Sequence, residues 1–185
     1  MSKEDVLDVA MNAYWEDGPT AVSLNSICQR AVVSKPSVYN AFGSEDGLTC
    51  AALEHYGQFV MVKMLEILHS KDRFPNIIKR VAHLAAQDAQ HQKGCLFVKM
   101  RSEKSQMGEK TQTLIAHLES MSRDAFATVL AEGKANGEWA GNIPVELAAH
   151  YLHAQIGLAL DQRARGEDPT EVLAMALSVF EFTET

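Results

Sequence analysis

The sequence predicts an all-α protein of about nine helices, on three observations. Apolar residues recur three and four apart along most of the chain, and no alternating run is long enough for a strand. Glycines, prolines and Ser or Asp cap signals divide the chain into helix-length segments. At 185 residues, with 46% hydrophobic and 22% charged residues, it can bury a real core, as one domain or as a small domain joined to a larger one. There is no apolar run of about 18 residues, so no membrane helix is expected. The start, MSKEDVLDVAMNAYWEDG, is acidic and helix-patterned rather than a basic and then apolar leader, so a cytoplasmic protein is expected.

The first segment runs from about Lys3 to Glu16, with Val6, Ala10, Ala13 and Tyr14 on one face, and ends at Gly18-Pro19. Two very short helices come next. Ser23 caps the first, whose apolar stripe is Leu24, Ile27, Cys28 and Ala31. Ser34 caps the second, which carries Pro36 in its first turn, where the missing N–H does no harm, and stops at Gly43. Val38 and Phe42 face inward, leaving Lys35, Ser37, Tyr39 and Asn40 outward: a cation, a hydroxyl, a phenol and an amide. That face suits something polar and anionic.

From Ser44 a longer helix is expected to about Ser70, marked by Leu48, Ala52, Tyr56, Phe59 and Lys63. Pro75 opens the next, and Gly94 ends the polar link after it. The segment CLFVKMRSEKSQ leads to Gly108, and beyond it lies a long pattern with Leu114, His117, Met121, Phe126, Val129 and Leu130 on its apolar side. Pro144 opens a helix whose stripe is Leu147, Tyr151, Ala154 and Leu158, widened by Leu152, Ile156 and Ala159. Asp168, Pro169 and Glu171 start the last, with Leu173, Ala176, Leu177 and Phe180 inward.

Catalytic and metal chemistry find no support. Cys28, Cys50 and Cys95 are odd in number and far apart, which fits reduced thiols. His150 and His153 lack the further ligands of a zinc site. No nucleotide-binding, esterase or metalloprotease motif is present, and no nucleophile, base and orienter can be assembled. No catalytic residue, metal or cofactor is expected, and the chain does not read as an enzyme.

The stretch AYWEDGPTAVSLNSICQRAVVSKPSVYNAFGSEDGL resembles the DNA-binding domain of the TetR family of bacterial transcriptional regulators. The match covers about 35 residues: an aromatic and Gly ending helix 1, a Ser-capped helix 2, then S-K-x-x-[apolar]-Y-x-x-F-G-S-x-x-x-L. The resemblance implies a helix-turn-helix over Leu24 to Phe42 whose second helix enters the major groove of double-stranded operator DNA. It implies a phosphate contact for Tyr39, a phosphate or base contact for Lys35, base-edge contacts for Ser37 and Asn40, and helix-start contacts for Ser23 and Ser34. It divides the chain into a DNA-binding domain, residues 1–47, and a helical effector-binding and dimerisation domain, residues 48–185. GCLFVKMRSE is also similar to the GCLLVN-type segment of one branch of the family, with Lys99 where that branch tends to have Asn.

The same resemblance implies a homodimeric repressor released from a palindromic operator by a small-molecule effector of unknown identity. Candidates for a mainly apolar pocket are Phe59, Met64, Phe97, Met100, His117, Met121 and Tyr151, and for the dimer interface Ala154, Leu158, Leu173, Leu177 and Phe180. Two features depart from the pattern. Residues 1–47 hold Lys3, Arg30 and Lys35 against seven carboxylates, a net charge of −4, which is unfavourable for approach to phosphates. Val32 replaces the usual Gly of the turn, and if that position needs φ > 0 a β-branched residue is costly there. Two alternative readings stand beside the repressor. In one, Cys95 is a thiol sensor whose pKa is lowered by Lys93 and Lys99; in the other, the chain is a helical binding module with weak or lost DNA binding.

Overall fold

The structure is a computed structural model that describes residues 2–89 and 92–180. It is all-α, with ten α-helices among the described residues: α1 (Lys3–Asp17), α2 (Leu24–Arg30), α3 (Lys35–Phe42), α4 (Glu45–Tyr56), α5 (Val62–Leu68), α6 (Phe74–Gln87), α7 (Leu96–Ser102), α8 (Glu109–Ala135), α9 (Val145–Ala164) and α10 (Thr170–Leu177). None of these is long and apolar enough to cross a membrane. The helices form two compact units, the first from Met1–Met61 and Cys95–Leu118, the second from Val62–Gly94 and Glu119–Thr185. This is a division by packing, distinct from the functional one expected at residue 47.

In the first unit α1 lies along α4. Val6, Ala10, Ala13 and Tyr14 of α1 are buried, as are Leu48, Ala52, Leu53 and Tyr56 of α4. The Tyr14 hydroxyl meets Thr49 Oγ1 at 3.1 Å, and Trp15 sets its edge against Tyr56 at 5.1 Å. Helices as short as α2 and α3 are unstable alone. They hold because Leu24, Ile27, Ala31 and Val38 are buried in this core, each of the larger side chains contributing roughly 1.5–3 kcal/mol. Phe42 is half-buried, with the Lys3 ammonium 5.1 Å from its ring centre.

The helix expected from Ser44 to Ser70 is interrupted. A π turn, Gly57–Met61, separates α4 from α5 and rotates the residues beyond Tyr56 out of the α4 stripe, so Tyr56 is fully buried while Phe59 is 59% exposed. The last pair of helices also differs from expectation. The buried stripe of α9 is Ala148, Ala149, Leu152, Ile156, Ala159 and Leu160, whereas Leu147, Ala154 and Leu158 face outward. In the second unit Phe74, Trp139 and Phe180 form an aromatic cluster with centroids 5.6–6.5 Å apart. A side chain at Gly133 would begin 2.5 Å from Phe74 Cγ, so glycine is what lets α8 cross that ring.

Between α2 and α3 the chain turns at Val32, whose φ is 51°. It is the one non-glycine residue with positive φ among those described, and its side chain is 85% exposed. The turn has kept its left-handed residue rather than shifted. Val33 N–H donates to the Cys28 carbonyl at 3.0 Å and closes it. The left-handed conformation costs an L-residue about 1–2 kcal/mol, and an exposed valine recovers little by burial. Val32→Gly is therefore expected to stabilise the protein by about 0.5–1 kcal/mol after the entropy of the freer unfolded chain is subtracted. The check is a urea unfolding midpoint, which should rise with no change in slope.

Candidate nucleic-acid interface

The outward face of α3 is assembled by its caps. Ser34 Oγ accepts from Ser37 N–H at 3.3 Å and lies 2.9 Å from Ser37 Oγ, while Ser23 Oγ accepts from Ser26 N–H at 3.2 Å at the start of α2. At the far end Gly43, with φ 80°, donates its N–H to the Tyr39 carbonyl at 2.8 Å. Val38 pins the helix inward, so Lys35, Ser37, Tyr39 and Asn40 are all exposed on the other side. The structure thus brings six candidates, Ser23, Ser34, Lys35, Ser37, Tyr39 and Asn40, onto one helix-turn-helix and its helix starts.

The carboxylates around it are distributed rather than gathered on that face. Asp17 pairs with Arg30 at 2.7 Å, Asp8 Oδ1 meets His55 Nε2 at 2.7 Å, and Asp5 forms a reciprocal cap with Ser2. Asp46 accepts from Lys110 N–H at 2.9 Å, from Thr111 N–H at 3.2 Å and from the Thr111 hydroxyl at 2.6 Å. Burial pushes the Asp46 carboxyl up, but these hydrogen bonds and the Lys110 charge outweigh it and hold it below its ordinary value. Glu45 is exposed, and Lys35 has no ion pair among the described residues.

Sequence reasoning missed three side chains that tie the segment after Gly94 to α1, to the loop after it and to the start of α4. Besides Asp46 these are Glu103, which accepts from the Thr20 hydroxyl at 2.6 Å and the Thr20 N–H at 3.3 Å, and Lys99, which donates to the Trp15 carbonyl. The partners lie 64 to 84 residues apart, so no local pattern signals them.

The pocket candidates divide between the units. Phe59, Phe97, Met100 and His117 belong to the first, where Phe97 and Met100 are buried and Phe59 and His117 exposed. Met64, Met121 and Tyr151 belong to the second. Met64 is half-buried and Met121 42% exposed, while Tyr151 donates its hydroxyl to the Ala176 carbonyl at 2.8 Å. A groove of about 420 Å³ lies between α6 and α10, lined chiefly by Ala82, Ala86, Leu173, Leu177 and Phe180 with Lys79 and His83 beside them. Tyr151 lines a smaller hollow of about 270 Å³ with Ile143, Leu147 and Val179. Of the interface candidates, Ala154 and Leu158 are exposed, Leu177 is half-buried, and Leu173 and Phe180 are buried within their own unit. Leu147, Met175 and Val179 add exposed apolar surface on the same two helices.

Three short α-helices, the second and third joined by a tight turn with a polar face outward on the third, define a helix-turn-helix domain. Residues 6–52 match the family model "Bacterial regulatory proteins, tetR family". The match supports a TetR-type transcriptional regulator and is confined to this N-terminal segment. The family is one of transcriptional regulators rather than enzymes. Over 66 residues the chain is 35% identical to the HTH-type transcriptional repressor Rv3405c of Mycobacterium tuberculosis, a match covering 36% of this chain and 33% of that protein. The chain thus spans a third of the length of the curated relatives it matches. The fold is shared more widely. The reduced form of E. coli NemR superposes with a TM-score of 0.82 at 22% identity, covering 98% of each chain. A cysteine mutant of the TetR family transcriptional regulator CifR, complexed with 26-bp double-strand operator DNA, gives 0.76 at 21% identity, covering 97% of this chain and 95% of that one.

Cys95 does not have the environment expected of a reactive thiol. It is buried at the start of α7, and burial pushes its thiol above the ordinary value. The Tyr56 hydroxyl and the Val98 and Phe97 amides pull the other way without prevailing. Lys99, expected to lower it, reaches instead for the Trp15 carbonyl. Thiolate is the reactive species, so Cys95 should be inert in the folded protein. In native protein treated with a disulfide thiol reagent, half-exposed Cys50 is expected to label first, with Cys28 and Cys95 reacting only on unfolding. Mass mapping of the labelled thiols checks this; prompt labelling of Cys95 would restore the sensor reading.

Proposed function

We propose that the protein is a homodimeric, ligand-responsive repressor in which residues 1–47 read a palindromic DNA operator and residues 48–185 bind an effector and dimerise. The observation that supports it best is the outward face of α3, where Lys35, Ser37, Tyr39 and Asn40 stand exposed between two capped ends. In this reading α3 lies in the major groove. Asn40 is suited to bond adenine at two atoms, Ser37 is an undemanding base partner, and the Tyr39 phenol and Lys35 ammonium meet phosphates. The capped starts of α2 and α3 add oriented amides and the hydroxyls of Ser23 and Ser34 at the phosphate backbone. Two such helices, related by a two-fold axis and about 34–36 Å apart, reach successive major grooves. An effector acts by binding more tightly to a dimer whose spacing no longer fits, which shifts the population away from the DNA-competent state. The apolar lining of the α6–α10 groove supports a mainly apolar effector. A protein with this role works in the cytoplasm.

Removing the Asn40 amide should change sequence preference, whereas removing the Tyr39 hydroxyl should weaken every site alike. Asn40→Ala is expected to lose roughly 1–3 kcal/mol on the preferred duplex and little on a scrambled one, while Tyr39→Phe loses similar amounts on both. Titrations of the two variants against both duplexes at one salt concentration decide it. Equal losses for Asn40→Ala would remove that residue from base reading.

The dimer is proposed to form through the outward faces of α9 and α10, where Leu147, Leu158, Met175 and Val179 are 42–70% exposed with Ala154 between them. Buried Leu173 and Phe180 support this surface from within rather than form it. Leu158→Asp is expected to yield a folded monomer, since the side chain is 43% exposed and its replacement leaves the unit's own core intact. Light scattering reads the mass and circular dichroism the fold. A dimer of unchanged mass would place the interface elsewhere.

A further inference from the structure

We propose that Asp46 is a positioning residue for DNA reading: from the first turn of α4 it caps α8, and so makes the start of α8 and the end of the recognition helix α3 move as one piece. The inference rests on the reading of α3 as the helix that meets DNA. The residue before α8 is Gly108, which has no side chain to satisfy the first-turn amides. Asp46 supplies the missing acceptor from another helix. Its two oxygens take the Lys110 and Thr111 N–H groups and the Thr111 hydroxyl, and Thr111 is fully buried by the arrangement.

Two approaches that need glycine hold this turn of α4 from either side. A Cβ on Gly108 would lie 2.2 Å from Asp46 Cγ and 2.5 Å from its Oδ1, so only a bare backbone lets the carboxylate reach α8. A Cβ on Gly47 would lie 2.1 Å from the Phe42 carbonyl oxygen, so the same turn sits directly on the last residue of α3. Ser44 Oγ completes the joint by accepting from Gly47 N–H at 2.9 Å. The two other ties of this segment, Glu103 to Thr20 and Lys99 to Trp15, reach α1 and the loop after it, not the end of α3. Asp46 is thus the tie beside the reading helix. Residues 109–118 of α8 pack in the first unit, together with Asp46 and α3.

A cycle of Gly108→Ala, Asp46→Gly and the double variant separates positioning from mere stability, because the added methyl meets Asp46 first, at 2.2 Å from Cγ, 2.5 Å from Oδ1 and 2.6 Å from Cβ, and only glycine at 46 removes all three atoms. The first readout is hydrogen exchange in the free protein. Gly108→Ala is expected to speed exchange at residues 41–43 and 47–49 by about tenfold, and to add nothing in the Asp46→Gly background, as contacting residues couple. The second readout is affinity for a duplex selected by the wild-type chain from random sequence, set against a scrambled duplex, well below the melting temperature. Gly108→Ala should lower affinity for the selected duplex by about tenfold and for the scrambled one by less than about twofold, again only where Asp46 is present. Additive effects, or a loss of the α8 cap that leaves residues 41–43 unchanged, would overturn the proposal. If the wild-type chain selects no duplex, the DNA reading fails, while the exchange cycle still decides whether Asp46 joins α8 to α3.

Discussion

A helix that begins without a cap must find acceptors for its first amides, and α8 finds them in the carboxylate of Asp46, more than sixty residues earlier in the chain. The first unit is organised by that requirement. Because Asp46 lies in the first turn of α4, satisfying α8 fixes where α4 starts, and Gly47 against the Phe42 carbonyl then fixes where α3 ends. Glycine is needed on both sides for a steric reason rather than a conformational one. Neither Gly47 nor Gly108 has positive φ; each is small because another group occupies the space of its Cβ. Thr111 shows how closed the joint is, since a threonine with no exposed surface is tolerable only when its hydroxyl is bonded.

The turn before α3 is the opposite case. There the backbone demands a left-handed residue, and Val32 meets the demand at a cost in free energy with its side chain in solvent. The domain tolerates the strain because the flanking elements are over-determined. Ala31 and Val38 are buried on either side, Val33 N–H is bonded to Cys28, and Ser34 caps α3. Strain at the turn leaves the outward face of α3 undisturbed.

Much of this was legible in the sequence because it is local. Ser23, Ser34 and Ser44 each cap a helix through an amide three residues on, and Pro36 and Gly43 bound α3 within eight residues. The buried faces of α1 and α2 follow from three- and four-residue spacing alone. The features that failed to show had no local signature. The π turn after Tyr56 leaves no mark in composition, and it was enough to turn Phe59 outward. Helix α9 is apolar on nearly every side, so periodicity had no means of choosing Ala148, Leu152 and Ile156 over Leu147, Ala154 and Leu158 as the buried set. Cys95 misled for a related reason. Lysines near it in sequence suggested a lowered pKa, but burial dominates and Lys99 points to a backbone carbonyl.

The acidic balance of residues 1–47 looks different once the carboxylates are placed. A net charge treats every group as though it faced the same point, whereas the field at a surface depends on where each charge sits and on what lies beside it. Asp17 is matched by Arg30, so that pair adds little at a distance. Asp46 faces the positive end of α8, and Asp5 faces the start of α1, where helix dipoles oppose their charge. Lys3, by contrast, is carried to the far end of α3 by its contact with the Phe42 ring, and Lys35 stands at the near end. Helix α3 is therefore flanked by a cation at each end. Of the seven carboxylates behind the unfavourable −4, Asp5, Asp8, Asp17 and Asp46 sit in pairs or caps, and Glu45 is an exposed carboxylate that opens the next helix.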